Sequence, residues 1–356
     1  MVASTKKILV TGAFGLVGRA VLDRLTADGF DVVATDLDTP GNRKLAKRRS
    51  GAESAGRLHT TYADLTDATA VRALLTEHAP DVIVHLAAVI PPACYAHPAL
   101  AQRVNVDAVA HLVEVAEELP SPPRLVFASS VATYGSRNPH RDAGPVTAAT
   151  PVAPSDLYGR QKVAAEGLIR ESSLDWAILR LGGVMTADVG GTDADTSWFS
   201  SLLPDDGRIH TVDVRDVARA FAAASVRPVT GETFLIGGDK THRLAQREIG
   251  LGYTAAMGLD GAVPAGRNGD PADDSSWFAT DWMDTDAAQA ALEFQTVSWP
   301  DLLAEIRERT GAKRYLLRLL APILAEVARR KSPYRHHPRE YADPWTLIAQ
   351  RYPDLP

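Results

Sequence analysis

The chain has 356 residues, 45% of them hydrophobic and 23% charged, with 38 Lys and Arg against 44 Asp and Glu. That composition excludes a disordered chain, and the net charge of −6 offers no general reason to bind nucleic acid. A single cysteine, Cys94, excludes an intrachain disulfide framework and suits a reducing, cytoplasmic setting.

The first apolar run, Ile8-Leu9-Val10, is too short for a signal-peptide core and predicts a strand. Residues 19–27 predict a helix ending at Gly29, and Val32-Val33-Ala34 a second strand. A weaker third strand falls at 58–61. The helix expected over 67–78 places Val71, Leu74 and Leu75 on one face. Val82-Ile83-Val84 reads as a fourth strand, apolar on both faces. Pro91, Pro92 and Pro98 then make 82–102 a buried strand and loop, not a membrane span. A helix over 99–119 stops before Pro120, and Leu125-Val126-Phe127 predicts a fifth strand. Residues 155–171 predict a helix and 176–179 a sixth strand. Continuous apolar strands alternating with helices imply an α/β architecture, a Rossmann-type doubly wound parallel sheet covered on both faces.

Beyond Gly182 the pattern weakens. Gly182, Gly183, Gly190 and Gly191, among several aspartates, read as loop as far as 206. Residues 212–224 return to helix, 233–236 to strand and 261–276 to loop. Residues 298–309 read as a capped helix with Leu302, Leu303 and Ile306 on one face. The expected division is a dinucleotide-binding domain of 1–181 with 211–237, a smaller substrate-binding region of 182–210 with 238–312, and a basic amphipathic extension over 313–356. Between Lys313 and Arg339, eight Lys and Arg stand against one acid, Glu326. Leu316, Leu317, Leu320, Ile323, Leu324 and Val327 form an apolar stripe that Pro322 is expected to kink. The favoured reading is a helix packed on the body or on a second subunit, its basic face solvated. A helix lying on an anionic membrane surface is the less favoured alternative.

Two motifs carry chemistry. In Thr11-Gly12-Ala13-Phe14-Gly15-Leu16-Val17-Gly18 the glycines follow a strand and open a helix. Gly12 permits a tight turn, Gly15 lets backbone approach a pyrophosphate, and Gly18 lets helix and strand pack closely. The helix N-terminus offers free N–H groups and a positive dipole end. Asp36, at the end of the second strand, can accept both ribose hydroxyls of NAD and would repel the 2′-phosphate of NADP, so NAD is favoured. Arg43 and Lys44 read as a solvated basic loop. The second motif, Tyr158-Gly159-Arg160-Gln161-Lys162, puts phenol and ammonium on one helix face. An adjacent ammonium is expected to lower the phenol pKa and allow proton exchange with a carbinol or carbonyl oxygen. Ser129 and Ser130 follow the fifth strand, where a hydroxyl can stabilise charge on a substrate oxygen. His336-His337 lacks supporting ligands, and no metal is expected.

With these motifs, Asp64-Leu65, His85-Leu86-Ala87-Ala88, Asn105-Val106, the Ser-Ser-x-x-x-Tyr-Gly segment and Arg180 in order, the chain resembles the extended short-chain dehydrogenases/reductases, the NAD-dependent epimerase/dehydratase group. The resemblance covers 6–237 well and 238–310 loosely. It implies Tyr158 as catalytic acid/base, Lys162 as the lysine at the nicotinamide ribose, and Ser130, ahead of Ser129 and Thr133, as the hydroxyl polarising the substrate oxygen. Gly12, Phe14, Gly15, Leu16, Gly18 and Asp36 would bind the cofactor. Asp64 and Leu65 would lie at the adenine, Ala87 and Ala88 along the cofactor, and Asn105 near its nicotinamide half. His85 reads as a satisfied interior histidine and Asp216 as a structural aspartate.

Three departures bear on the substrate. Gly182 and Gly183 stand where nucleotide-sugar members often have asparagine, and Ile209 where they have a diphosphate-clamping arginine, with Arg208 one residue off. The segment between Met185 and Thr211 is short for a nucleotide-sugar site. A sterol-like or other small hydroxy/keto substrate therefore gains weight against a nucleotide sugar. The function expected is hydride transfer between nicotinamide and a hydroxyl/keto carbon. The alternative is a non-catalytic NAD-sensing regulatory or interaction protein, which the presence of both Tyr158 and Lys162 disfavours. The resemblance also implies a homodimer through the helices near 99–119 and 155–171.

Overall fold

A computed structural model describes residues 6–49, 55–142, 144–189 and 194–355. The first half alternates β1 (Lys7–Thr11), α1 (Leu16–Ala27), β2 (Asp31–Asp36), α2 (Pro40–Arg49), β3 (Arg57–Tyr62), α3 (Ala68–His78) and β4 (Val82–His85). Two short helices, α4 (Ala93–Ala96) and α5 (Pro98–Gln102), lead through a π-helical turn at Arg103–Asp107 into α6 (Ala108–Glu117). Next come β5 (Arg124–Ser130), a 3-10 turn at Val131–Tyr134, α7 (Leu157–Glu171) and β6 (Trp176–Leu181). The second half holds β7 (Gly183–Met185), α8 (Ala194–Ser200), β8 (Arg208–Asp213), α9 (Val214–Val226), β9 (Glu232–Ile236), β10 (Arg243–Ala245) and α10 (Gln246–Met257). It closes with α11 (Asp286–Leu292), α12 (Trp299–Thr310), α13 (Lys313–Arg330) and α14 (Pro344–Arg351).

The central sheet is seven-stranded and parallel, in the order β3-β2-β1-β4-β5-β6-β9. Strand alternation explains both of its faces. Ile8, Val10, Val32 and Val84 pack with Leu22 of α1 and Phe221 of α9. Leu9, Val33, Ile83 and Phe127 pack on the other face with Leu75 of α3, Leu112 of α6 and Ile169 of α7. Each such buried aliphatic or aromatic side chain contributes about 1.5–3 kcal/mol. A second sheet, β10-β8-β7, carries the chain away from the Rossmann unit.

Several elements differ from the sequence reading. The helix expected over 99–119 is broken, because Pro98 opens a short separate helix and a π-turn follows it. The stretch after Gly182 is not all loop: β7 and α8 lie within it. A three-residue strand leaves no periodic signal, and β7 exists through its pairing of Val184 with Val212. Gly190 and Gly191 lie outside the described residues. The helix expected from 212 begins at Val214, since Asp213 ends β8 and caps α9 by accepting from Arg215 N. Arg43 and Lys44 sit on helix α2, where Arg43 pairs with Asp38.

In the extension, Pro322 lies inside α13. The stripe of α13 does not pack on the body, whereas the chain after it does. Ala342 N donates to Asn268 O at 2.9 Å, and Trp345 Nε1 to Trp277 O at 3.2 Å.

Candidate active site

At the end of β1 the chain turns at Gly12, with φ +61°. A Cβ there would sit 2.7 Å from Ala87 N, so side chains are excluded by both conformation and space. A Cβ on Gly18 would lie 2.2 Å from Gly12 O, so α1 seats directly on the turn. Gly15 is the extended N-cap of α1, and no side chain among the described residues caps that end. Asp36 closes β2 against this turn: Oδ2 accepts from Phe14 N at 3.0 Å and Oδ1 from Leu37 N at 2.8 Å. Leu16 is exposed at the start of α1. Asp64 is exposed, with Oδ1 accepting from Thr66 N and Thr66 Oγ1, while Leu65 is buried beneath it. Ala87 and Ala88 are half-buried just beyond β4.

The second cluster lies between β5 and the start of α7. Asp156 caps α7, accepting from Gly159 N at 3.0 Å and Tyr158 N at 3.2 Å. Tyr158 and Lys162, one turn apart, meet the end of β5. Ser130 Oγ accepts from Ala132 N at 3.2 Å and lies near enough to the Tyr158 phenol to favour its ionised form. Lys162 Nζ donates to Ala128 O at 2.8 Å and lies 5.7 Å from the Tyr158 ring centre. Of the neighbouring hydroxyls, Ser129 donates to Glu166 Oε1 at 2.6 Å and Thr133 to Ser130 O at 3.0 Å.

The expectation that Lys162 lowers the phenol pKa is corrected. Burial raises the Tyr158 phenol, Cys94 and Asp156 add to this, and the Ser130 hydroxyl opposes it. Burial pushes the Lys162 ammonium down to about 7, with Glu166 opposing. Desolvation penalises the charged form of both groups. Folded Lys162 holds its proton less well than the unfolded chain, whose lysines titrate near 10.5. Protons are therefore released on folding between those values, and stability from this group rises with pH across that window. Chemical denaturation from pH 7 to 9 should show the rise in the parent protein, up to about 1.4 kcal/mol per pH unit. The Lys162→Met variant should lack it; parallel profiles would contradict the burial.

Other expected site residues are engaged by the protein. Asn105 sits in the π-turn, where Oδ1 accepts from Val89 N at 2.8 Å and Nδ2 donates to Val89 O at 2.9 Å and Gln161 Oε1 at 2.8 Å. Its amide ties the strand-end loop to α7. His85 shares a 2.7 Å hydrogen bond with Thr11 Oγ1, and burial pushes its pKa down to about 3, so the ring is neutral. It is only half satisfied, since Nε2 has no partner among the described residues. Asp216 accepts from Thr296 N and Val297 N, anchoring that loop to α9.

Some neighbours of Tyr158 escaped the sequence reading. Tyr95 donates to Asp156 Oδ2 at 2.5 Å, and Cys94 is buried beside it. An Asp two residues before the tyrosine is a helix-cap signal that could have been read. The apolar cluster around Tyr158 also includes Phe199, Phe278 and, from the C-terminal tail, Trp345, Leu347 and Tyr352. Nothing local in the sequence announces that last contact. Ile209 is buried, and the Arg208 guanidinium donates to Pro139 O and Asp142 O.

A doubly wound parallel sheet with a glycine turn after its first strand and an acid closing its second defines a Rossmann-type dinucleotide-binding protein. The sequence matches the NAD dependent epimerase/dehydratase family over residues 8–203, more than half of its length. The chain belongs to that family, within the extended short-chain dehydrogenases/reductases. It is 33% identical over 198 residues to a probable UDP-arabinose 4-epimerase 3 of Arabidopsis thaliana, covering 52% of this chain and 45% of that protein. It is 33% identical over 210 residues to D-erythronate dehydrogenase of Cupriavidus necator, covering 55% of this chain and 60% of that one. The chain thus spans about half the length of the relatives it matches. A UDP-glucose-4-epimerase structure from Stenotrophomonas maltophila, with bound NAD and formylated UDP-arabinopyranose, superposes with a TM-score of 0.70 at 22% identity. That match covers 87% of this chain and 99% of the other, and at this identity it shows the fold. NAD is the family's cofactor, and the residues here suit it. The turn at Gly12 and the uncapped α1 N-terminus offer backbone N–H groups to a pyrophosphate, with Asp36 alongside for a ribose.

Proposed function

We propose that this protein is an NAD-dependent oxidoreductase of epimerase/dehydratase type, acting at a hydroxyl or keto carbon. The observation that carries the reading is the meeting of Tyr158, Ser130 and Lys162 at the end of β5. When bound, NAD supplies the hydride chemistry. Tyr158, held protonated by burial, is the acid that gives its proton to a developing alkoxide and the base in the reverse direction. Ser130 orients the reacting oxygen and eases ionisation of the phenol. Lys162 holds the cofactor ribose and supports Tyr158. Gly12, Phe14, Gly15 and Leu16 line the pyrophosphate, Gly18 seats α1 against that turn, and Asp36 takes the adenosine ribose. Asp64 and Leu65 flank the adenine, Ala87 and Ala88 wall the cofactor, and Asn105 positions that wall. In this division residues 1–181 with 211–237 bind NAD, and 182–210 with 238–312 bind substrate.

For the substrate we favour an apolar-bodied hydroxy/keto compound, sterol-like or smaller, over a nucleotide sugar. Aromatic and aliphatic side chains surround Tyr158, and Arg208 is engaged by backbone carbonyls where a diphosphate would need it. The UDP-sugar names of several relatives make that class the competitor. The test follows NADH absorbance with hydroxysteroids and small secondary alcohols, alongside UDP binding by calorimetry and product analysis with UDP-glucose and UDP-arabinose. Turnover of the first group without UDP binding supports the proposal. UDP binding with sugar interconversion overturns the substrate class.

A further inference from the structure

α13 presents an uncovered apolar side. Leu316, Leu319 and Ile323 are 63%, 76% and 63% exposed, and Leu320, Leu324 and Val327 are exposed with them. Their spacing of three and four residues sets all six along one helix face. Ala321 is the helix's one buried residue. Cations gather at both ends: Lys313, Arg314 and Arg318 at the first, Arg329, Arg330 and Lys331 at the second. The only acid, Glu326, is already claimed by Arg329 and Arg330. Beyond the helix the chain is fixed to the body, with Ser332 Oγ donating to Ala265 O and the Tyr334 hydroxyl to Leu202 O, each at 2.5 Å. The helix is therefore held in place while its apolar side stays open. Among the described residues no helix is long and apolar enough to cross a membrane.

We propose that α13 is a docking helix that lies in the surface of an anionic phospholipid bilayer. Its stripe would enter the acyl boundary and its cations would meet headgroup phosphates. Charge complementarity selects this occupant over a second copy of the chain. An antiparallel pair sets Lys313, Arg314 and Arg318 against Arg329, Arg330 and Lys331. A parallel pair sets each cluster against itself. Like charges meet either way, and Glu326 has no charge to spare. The proposal does not depend on the substrate or on the catalytic reading.

The test is cosedimentation of the full chain with vesicles of phosphatidylcholine and phosphatidylglycerol in equal parts, and with phosphatidylcholine alone. The protein should pellet with the anionic vesicles and far less with the neutral ones. The Leu319→Glu/Ile323→Glu variant should lose anionic-vesicle affinity by roughly a hundredfold, since two apolar anchors are removed. NAD binding and circular dichroism of that variant should match the parent, because both side chains face solvent. Three results would each overturn the proposal. They are no pelleting with anionic vesicles, equal binding by the variant, and a concentration-dependent dimer that the variant abolishes.

Discussion

Tyr158→Phe should bind NAD as the parent does and lose turnover by roughly 10²–10⁴-fold, the usual worth of a positioned acid/base. The substitution removes one oxygen and leaves the ring among Phe199, Phe278 and the tail aromatics, so the fold should persist. Asp156 would still cap α7, because its bonds are to the backbone of Tyr158 and Gly159. Lys162 would keep its hydrogen bond to Ala128 O, so the cofactor side of the cluster is undisturbed. NAD titration by fluorescence together with steady-state rates would check both halves. Near-normal turnover would remove Tyr158 from the chemistry.

Glu166→Ala should be the most destabilising single change near the site, by about 3–5 kcal/mol, because it strands a buried arginine. Glu166 and Arg180 are 1% and 3% exposed, joined by bonds of 2.8 and 2.6 Å. Ser129 and Arg170 donate to the same carboxylate, and Arg180 also donates to the Tyr134 hydroxyl at 2.7 Å. This network joins β5, β6 and α7 beside Ser130. Burial alone would raise the Glu166 carboxyl, but the hydrogen bonds and charge of Arg180 outweigh it and leave the group below its usual range. A depressed folded pKa gives stability that is present above the unfolded value of 4.5 and lost as pH falls through the folded one. Thermal denaturation at pH 7 should show Tm lower by roughly 4–7 °C. Replacing both partners by apolar residues, Glu166→Leu with Arg180→Met, should recover much of the loss, because no charge is then left unpaired. A loss under about 1 kcal/mol for Glu166→Ala would mean that Arg180 finds water or another partner.

Much of the cofactor end was legible along the chain because its signals are local. Gly12, Gly15 and Gly18 sit at spacings that a strand–turn–helix requires, and Asp36 ends a short β-branched run. The pairing of Tyr158 with Lys162 was legible as an i, i+4 spacing on a helix. Its electrostatics were not, since reading Lys162 beside Tyr158 gives proximity and says nothing of how much water surrounds them. Asn105 shows the same limit: its position was visible, but its bonds to Val89 and Gln161 join residues 16 and 56 positions away. β7 escaped because its only warrant is pairing with β8.

The sequence by itself determined the doubly wound sheet, the glycine turn at Gly12 and the acid at Asp36, because alternation, helical periodicity and turn chemistry act over a few residues. Only the tertiary structure decided three further matters. It buries Lys162 and half-buries Tyr158, and both pKa values shift against the charged forms. It brings Trp345 and Tyr352 from the tail into the cluster around Tyr158. It leaves Leu316 and Ile323 of the α13 stripe off the body of the chain, which was one of the two covers the stripe allowed. The physical reason is common to all three: burial is set by contacts between distant segments, and no local pattern records which surfaces those segments will meet.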